Sequence, residues 1–257
     1  MVYLPSFSLD GKIAIVTGAG RGIGQAIAIG FAEAGADVAL LSRTEVDLKK
    51  TAAEVERFGR KAYIIPCDVT KRDEVKNAIA LVAEEAGKID ILVNNAGMNI
   101  RSRALEATDE EWQTIMDTNL KSAFMASQEA GMYFKEQSGG RIINITSVGG
   151  HVALRTGVVY AATKAALIQM TKVLALEWGQ YNVNINAIGP WYFRTPLTKA
   201  LLEDEEYVND ILAVTPLKRI GELEELVGPA VFFASDASKY ITGQTLFVDG
   251  GMTIHGF

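Results

Sequence analysis

Residues Lys12–Gly24 read KIAIVTGAGRGIG. An apolar, β-branched run ends at Thr17. Glycines follow at 18, 20, 22 and 24, and an amphipathic pattern runs from Ile23 to Ala34. A buried strand, a tight glycine turn and a helix account for that order, because glycine permits the positive φ angles that such a turn needs. Working outward, the same alternation repeats. Apolar runs at Lys12–Thr17, Asp37–Leu41, Ala62–Pro66, Ile89–Val93, Arg141–Ile145, Val183–Ile188 and Thr245–Val248 read as strands apolar on both faces, which suits a parallel sheet covered on two sides. Helical patterns lie between them at Ile23–Ala34, Glu45–Phe58, Asp73–Ala86, Glu111–Lys135, Val159–Trp178 and Glu222–Ala234. Gly59 and Gly87 suit helix C-terminal stops. The expected fold is α/β: one Rossmann-type doubly wound parallel sheet of about seven strands with right-handed crossovers and helices on both faces. No composition shift marks a boundary, so residues 1–257 are read as one domain, nucleotide-binding in its N-terminal half and catalytic in its C-terminal half. Pro190–Leu217 breaks the rhythm. Its three prolines and two short helical pieces suggest a functional excursion folding over the C-terminal edge of the sheet.

Composition narrows the classes. Hydrophobic residues make up 49% of the 257-residue chain, enough for a full core and too many for disorder. No uninterrupted apolar run approaches the roughly 18 residues that span a bilayer, so no membrane segment is expected. A net charge of −6 argues against a nucleic-acid partner. A single cysteine, Cys67, excludes an internal disulfide or a cysteine-based zinc site, and no signal-peptide pattern opens the chain, so a cytoplasmic setting is expected. No metal site is readable, since His151 and His255 stand far apart in sequence.

Several positions point to a nucleotide. The spacing Gly18-x-x-x-Gly22-x-Gly24 differs from G-x-G-x-x-G, yet glycines between a first strand and a helix let the backbone approach a pyrophosphate at the helix N-terminus. The second strand ends at Leu41-Ser42-Arg43 with no carboxylate. An acid there would bond a ribose 2′-hydroxyl, whereas an arginine accommodates a 2′-phosphate. Arg43, with Arg21 inside the glycine turn, therefore favours NADP(H) over NAD(H). Asp68-Val69 follows the third strand, where Asp68 could bond an adenine amino group or serve as a helix N-cap. Asn94-Asn95-Ala96-Gly97 after the fourth strand reads equally as a cofactor-side turn or a structural one.

The fifth strand runs into Thr146-Ser147, and Tyr160 and Lys164 follow at i and i+4, hence on one helix face. A free phenol with a pKa near 10 is a poor base at neutral pH. A nearby ammonium favours the phenolate and is expected to lower that pKa into a usable range.

Together these segments resemble the classical short-chain dehydrogenase/reductase family. TGxxxGxG matches as Thr17–Gly24, NNAG as Asn94–Gly97, the catalytic serine as Ser147, YxxxK as Tyr160–Lys164, and the helical asparagine as Asn119. The likeness runs end to end, down to Val248-Asp249-Gly250-Gly251. It implies a hydride exchange between a nicotinamide and a substrate carbon. Ser147 would hold the substrate oxygen and Tyr160 would move the proton. Lys164 would lower the Tyr160 pKa and hold the nicotinamide ribose. Asn119 would kink its helix and anchor a relay water. The cofactor set implied is Gly18, Arg21, Gly22, Ile23, Gly24, Ser42, Arg43, Asp68, Val69, Asn95, Ala96 and Gly97, with Tyr160, Lys164, Pro190, Phe193 and Thr195. One departure stands out: Trp191 replaces the glycine that usually follows Pro190, so Trp191 or Tyr192 is a candidate substrate wall.

For the substrate, Asn99–Arg103 and Thr195–Glu205 are similar to gluconate 5-dehydrogenases and related sugar-acid enzymes, in which Arg101 could grip a carboxylate. Pro190–Tyr192 and Gly250–Met252 also resemble tropinone-reductase-like enzymes, and 3-oxoacyl-carrier-protein reductases share most of the motifs. Another alternative is a dinucleotide-binding scaffold without turnover. Gly149, His151 and Arg155, between Ser147 and Tyr160, are expected to border the pocket. Family members usually form tetramers through the helices read here as Glu111–Lys135 and Val159–Trp178, so a homotetramer is expected. The apolar end Thr253–Phe257 is expected to dock on a neighbour or an active-site rim.

Overall fold

The computed structural model describes residues 3–155 and 157–254; of the end expected to dock, Thr253 bonds Asp249 and Ile254 is exposed, while residues 255–257 lie outside the described ones. Seven strands form one parallel sheet in the order β3-β2-β1-β4-β5-β6-β7. They are β1 Ile13–Thr17, β2 Asp37–Ser42, β3 Ala62–Pro66, β4 Ile91–Asn94, β5 Gly140–Ile145, β6 Val183–Pro190 and β7 Thr245–Val248. The order reverses between β1 and β4, which opens a crevice at their carboxyl ends.

Alternation along each strand sends side chains to two cores. Ala14 and Val16 of β1 face α1 (Gly22–Glu33), α2 (Glu45–Glu56) and α8 (Glu224–Ala234), among Ile27, Phe31, Leu48 and Phe233. Ile13 and Ile15 face α3 (Arg72–Ala86), α5 (Ser122–Gln137) and α6 (Val158–Trp178), among Ile79, Val82, Phe134 and Leu174. Gly87 ends α3 at φ +77°, its N–H bonded to the Ala83 carbonyl. Within β6 the pattern is not purely apolar. Asn184 and Asn186 are buried and donate to the Ile241 carbonyl, which ties the approach to β7 onto the sheet.

The long helix expected over Glu111–Lys135 is interrupted. α4 (Asp109–Met116) starts from a capping box between Thr108 and Glu111, a π-helical turn occupies Asp117–Lys121, and α5 continues from Ser122. The apolar periodicity carries through the wide turn, which is why the sequence reads as one helix. α6 also corrects an expectation: with its following turn, Val158–Tyr181 is long and apolar enough by length and composition to cross a membrane. In the fold this helix packs on the sheet and buries Thr163, Lys164 and Thr171. The excursion after β6 holds a short 3-10 turn at Leu201–Glu203 and α7 (Glu205–Ala213).

Candidate active site

Thr17 organises the nucleotide end. Its hydroxyl donates to the Val93 carbonyl at 3.2 Å and accepts from the N–H groups of Asn95 (3.0 Å) and Ala96 (3.1 Å). The Asn95 amide donates to the Thr17 carbonyl at 2.9 Å. The glycine turn and the Asn94–Gly97 turn are thereby one unit. Asn94 itself points into the sheet, donating to Ser127 and Asn144, while Asn144 donates to Thr171. Gly18 and Gly22 have φ +66° and +61°, left-handed conformations that side chains strain. Gly24 does not face the cleft: a side chain there would overlap the Asn95 amide and the Gly18 carbonyl. Its role is close packing of α1 onto the turn.

A cleft of about 1090 Å³ runs along this sheet edge. At one end lie Gly18, Arg21, Gly22 and Ile23, then Ser42 and Arg43, then Asp68 and Val69. The Ser42 hydroxyl is buried without a hydrogen-bond partner. Burial would raise the Asp68 carboxyl, but bonds from the Thr70 backbone and hydroxyl, with the charges of Arg43 and Lys71, hold it below the usual carboxylate range. Asp68 bonds Thr70 and does not cap α3, whose N-cap is Lys71. An unsatisfied hydroxyl in a cleft also lined by the exposed Arg21 and Arg43 and by the glycine turn fits a dinucleotide carrying an extra phosphate.

Asn95, Ala96, Gly97, Pro190, Phe193 and Thr195 also line the cleft. Ser147, two residues beyond β5, accepts a hydrogen bond from the Gly149 N–H at 3.1 Å. Tyr160 and Lys164 rise from the first turns of α6 and also line the cleft. Lys164 is buried, and its ammonium donates to the Ile145 carbonyl at 2.8 Å. The geometry corrects the expected pKa effect. Nζ of Lys164 sits 5.6 Å from the centroid of the Tyr160 ring and directs its bond to Ile145. Burial pushes the Tyr160 phenol above its usual 10, against opposing pulls from the Ser147 hydroxyl and the Arg101 charge. Burial also brings Lys164 down to about 8. The phenol therefore stands protonated at neutral pH, a proton donor before it is a base.

Asn119 stays out of the cleft. In the π turn it exchanges two 2.8 Å bonds with Met98, accepting from its N–H and donating to its carbonyl, and donates to Thr163 at 3.3 Å. A π turn beside a reactive cleft is a recurrent arrangement.

On the substrate side, Arg101, Arg155, Trp191 and Tyr192 line the cleft. Gly149 and His151 do not. Gly149 is buried against Leu154, and His151 is exposed with its ring 5.0 Å from that of Phe247. The short turn Val148–Gly150 sends His151 away from the cleft. Arg155 pairs with Asp210 at 2.8 Å, whereas Arg101 has no ion-pair partner among the described residues. Trp191 donates from its indole N–H to Thr215 at 3.1 Å and stands edge-on to Tyr192. Tyr207 and Asp210, one turn apart on α7, also line the cleft and were not singled out from sequence. Their i, i+3 spacing in an excursion already read as functional is the signal that could have found them.

A family model described as Enoyl-(Acyl carrier protein) reductase matches residues 18–253, nearly all of the segment that builds this cleft. The chain is a short-chain dehydrogenase/reductase. As such it is an oxidoreductase acting on CH–OH groups. This dehydrogenase/reductase is 42% identical over 252 residues to a tropinone reductase homolog of Arabidopsis thaliana, covering 98% of this chain and 96% of that one. It is 41% identical over 249 residues to gluconate 5-dehydrogenase of Gluconobacter oxydans, covering 96% and 97%. Its fold matches that of a gluconate 5-dehydrogenase from Burkholderia cenocepacia, solved in complex with NADP and tartrate. The TM-score is 0.94 at 39% identity, over 98% of this chain and 99% of that one.

Proposed function

We propose that this enzyme interconverts a secondary alcohol and a ketone on a sugar acid, with NADP(H) as its hydride partner. One observation carries the reading: Ser147 and Tyr160 face the cleft that holds the glycine turn and Arg43 at one end and an unpaired Arg101 at the other. The gluconate 5-dehydrogenase solved with NADP and tartrate supports both halves, a phosphorylated dinucleotide and a hydroxy acid.

When bound, the nicotinamide supplies or accepts the hydride. The chain does the rest. Backbone at Gly18–Gly22 and the N-terminus of α1 hold the pyrophosphate. Ser42, Arg43 and Arg21 hold the 2′-phosphate, and Asp68 and Val69 border the adenine. Lys164 holds the inner ribose, and Asn95–Gly97, Pro190, Phe193 and Thr195 wall the nicotinamide. Ser147 donates to the substrate oxygen, and Tyr160 delivers its proton there as negative charge develops. Asn119 keeps the π turn and the Met98 backbone in register beneath the cleft. Arg101 holds the carboxylate. A small neutral ketone is the second reading, favoured by the Trp191–Tyr192 aromatic wall. The single buried Cys67 suits a reducing, cytoplasmic compartment.

The test is NADPH oxidation at 340 nm with 5-ketogluconate, fructose and tropinone. We expect 5-ketogluconate to be preferred and NADPH to exceed NADH in kcat/KM, with Arg43→Ala reducing that ratio. Tyr160→Phe should lower turnover by about 10²–10⁴-fold while dinucleotide binding persists. Preference for tropinone would install the second reading, and equal use of NADH would remove the role given to Arg43.

A further inference from the structure

The Tyr192 and Tyr207 hydroxyls lie 2.5 Å apart across fifteen residues of the excursion. Each phenol offers one proton. One proton is used between the rings, and the accepting phenol keeps an O–H with no other partner among the described residues. Tyr192 is held from both sides: Trp191 stands edge-on at 4.6 Å and 76°, and the Tyr207 ring at 5.9 Å and 83°. Burial and the bond with the Tyr207 hydroxyl push the Tyr192 phenol upward, so it keeps its proton at neutral pH, while the charge of Arg101 and a hydrogen bond with its guanidinium pull the other way. Arg101, Tyr192 and Tyr207 line the same cleft. Arg155, the other cation of this region, is ion-paired with Asp210 and lies 5.9 Å over the Tyr207 ring. It braces α7 and leaves Arg101 as the unpaired cation.

We infer that Arg101 and the Tyr192–Tyr207 pair form a carboxylate clamp, in which the Tyr207 hydroxyl fixes the O–H that the pair presents. The two phenols share one proton across this contact, and the pair turns the O–H that remains toward the acid gripped by Arg101. This rests on the reading above that the substrate is an acid. It adds that α7 sets the preference of the enzyme for acids over neutral compounds. Tyr207→Phe would keep the ring packing and lose only the hydroxyl that orients the pair.

The experiment compares the wild type, Tyr207→Phe and Arg101→Ala. Two readouts are taken: KM and kcat for 5-ketogluconate, and calorimetric binding of tartrate and of its neutral diamide to the NADP-loaded enzyme. A misdirected hydrogen bond to a charged group corresponds to about a tenfold loss. Tyr207→Phe is expected to weaken tartrate binding and raise the 5-ketogluconate KM about tenfold. The change should fall on KM, with the affinity for the diamide shifting less than twofold. Equal weakening of tartrate and diamide would mean that Tyr207 only packs, and would overturn the inference. Loss of tartrate binding in Arg101→Ala but not in Tyr207→Phe would also overturn it, while leaving the sugar-acid reading intact. Undiminished tartrate binding in Arg101→Ala would remove both.

Discussion

Lys164 holds its proton to about 8 in the folded chain and to an ordinary 10.5 when unfolded, because burial penalises the ammonium. Between those values the unfolded state binds more protons than the native state, so stability rises with pH across that window. One such group supplies a slope of at most about 1.4 kcal/mol per pH unit. Urea unfolding of the cofactor-free protein from pH 7.5 to 10 should show this rise, and Lys164→Met should flatten it. A slope unchanged in that variant would assign the titration to another group. At this scale the Tyr160–Lys164 pair was legible from its spacing, but the electrostatic outcome was not. Helical geometry puts the two on one face, while the Ile145 carbonyl and the burial of both groups decide where the ammonium points and which proton is held.

Among the elements, α1 is wedged between the glycine turn and α8. A side chain at Gly24 would overlap the Asn95 amide and the Gly18 carbonyl, and one at Gly30 would overlap a Val227 methyl. The first obstacle lies at the turn itself; the second is a trimmable side chain. Gly30→Ala is expected to cost about 1–3 kcal/mol by overpacking, seen as a lowered Tm. Adding Val227→Ala to Gly30→Ala should recover part of the loss in a double-mutant cycle. Independent, additive losses would show that α1 and α8 do not meet at Gly30. The seven strands were readable because strands covered on both faces are apolar throughout. The π turn at Asp117–Lys121 was not, because its wider winding is supported by Asn119 bonding to Met98, 21 residues away in sequence.

For the whole molecule, apolar side chains remain at the surface of the two helices that flank one face. Phe124 and Met132 of α5 are 40% and 51% exposed, and Val173 and Leu176 of α6 are 44% and 86% exposed. Such clusters favour association, and we propose that the homotetramer expected from the family resemblance covers them. Light scattering should give a mass near four times that of the 27.8-kDa chain. Leu176→Asp should reduce that mass, because an aspartate is costly to bury at an apolar contact. A monomeric wild-type protein would refute the assembly.

Local chemistry determined much of this protein in advance. Periodicity and glycine placement specify a doubly wound sheet, and Gly18–Gly24, Ser147, Tyr160 and Lys164 belong to its carboxyl edge because βα turns emerge there. The three-dimensional fold alone decided the remainder. It paired Arg155 with Asp210 while giving Arg101 no ion-pair partner among the described residues, joined Tyr192 to Tyr207, and turned His151 away toward Phe247. Those outcomes depend on contacts between residues brought together by an irregular segment. Such a segment has no period from which a partner could be inferred.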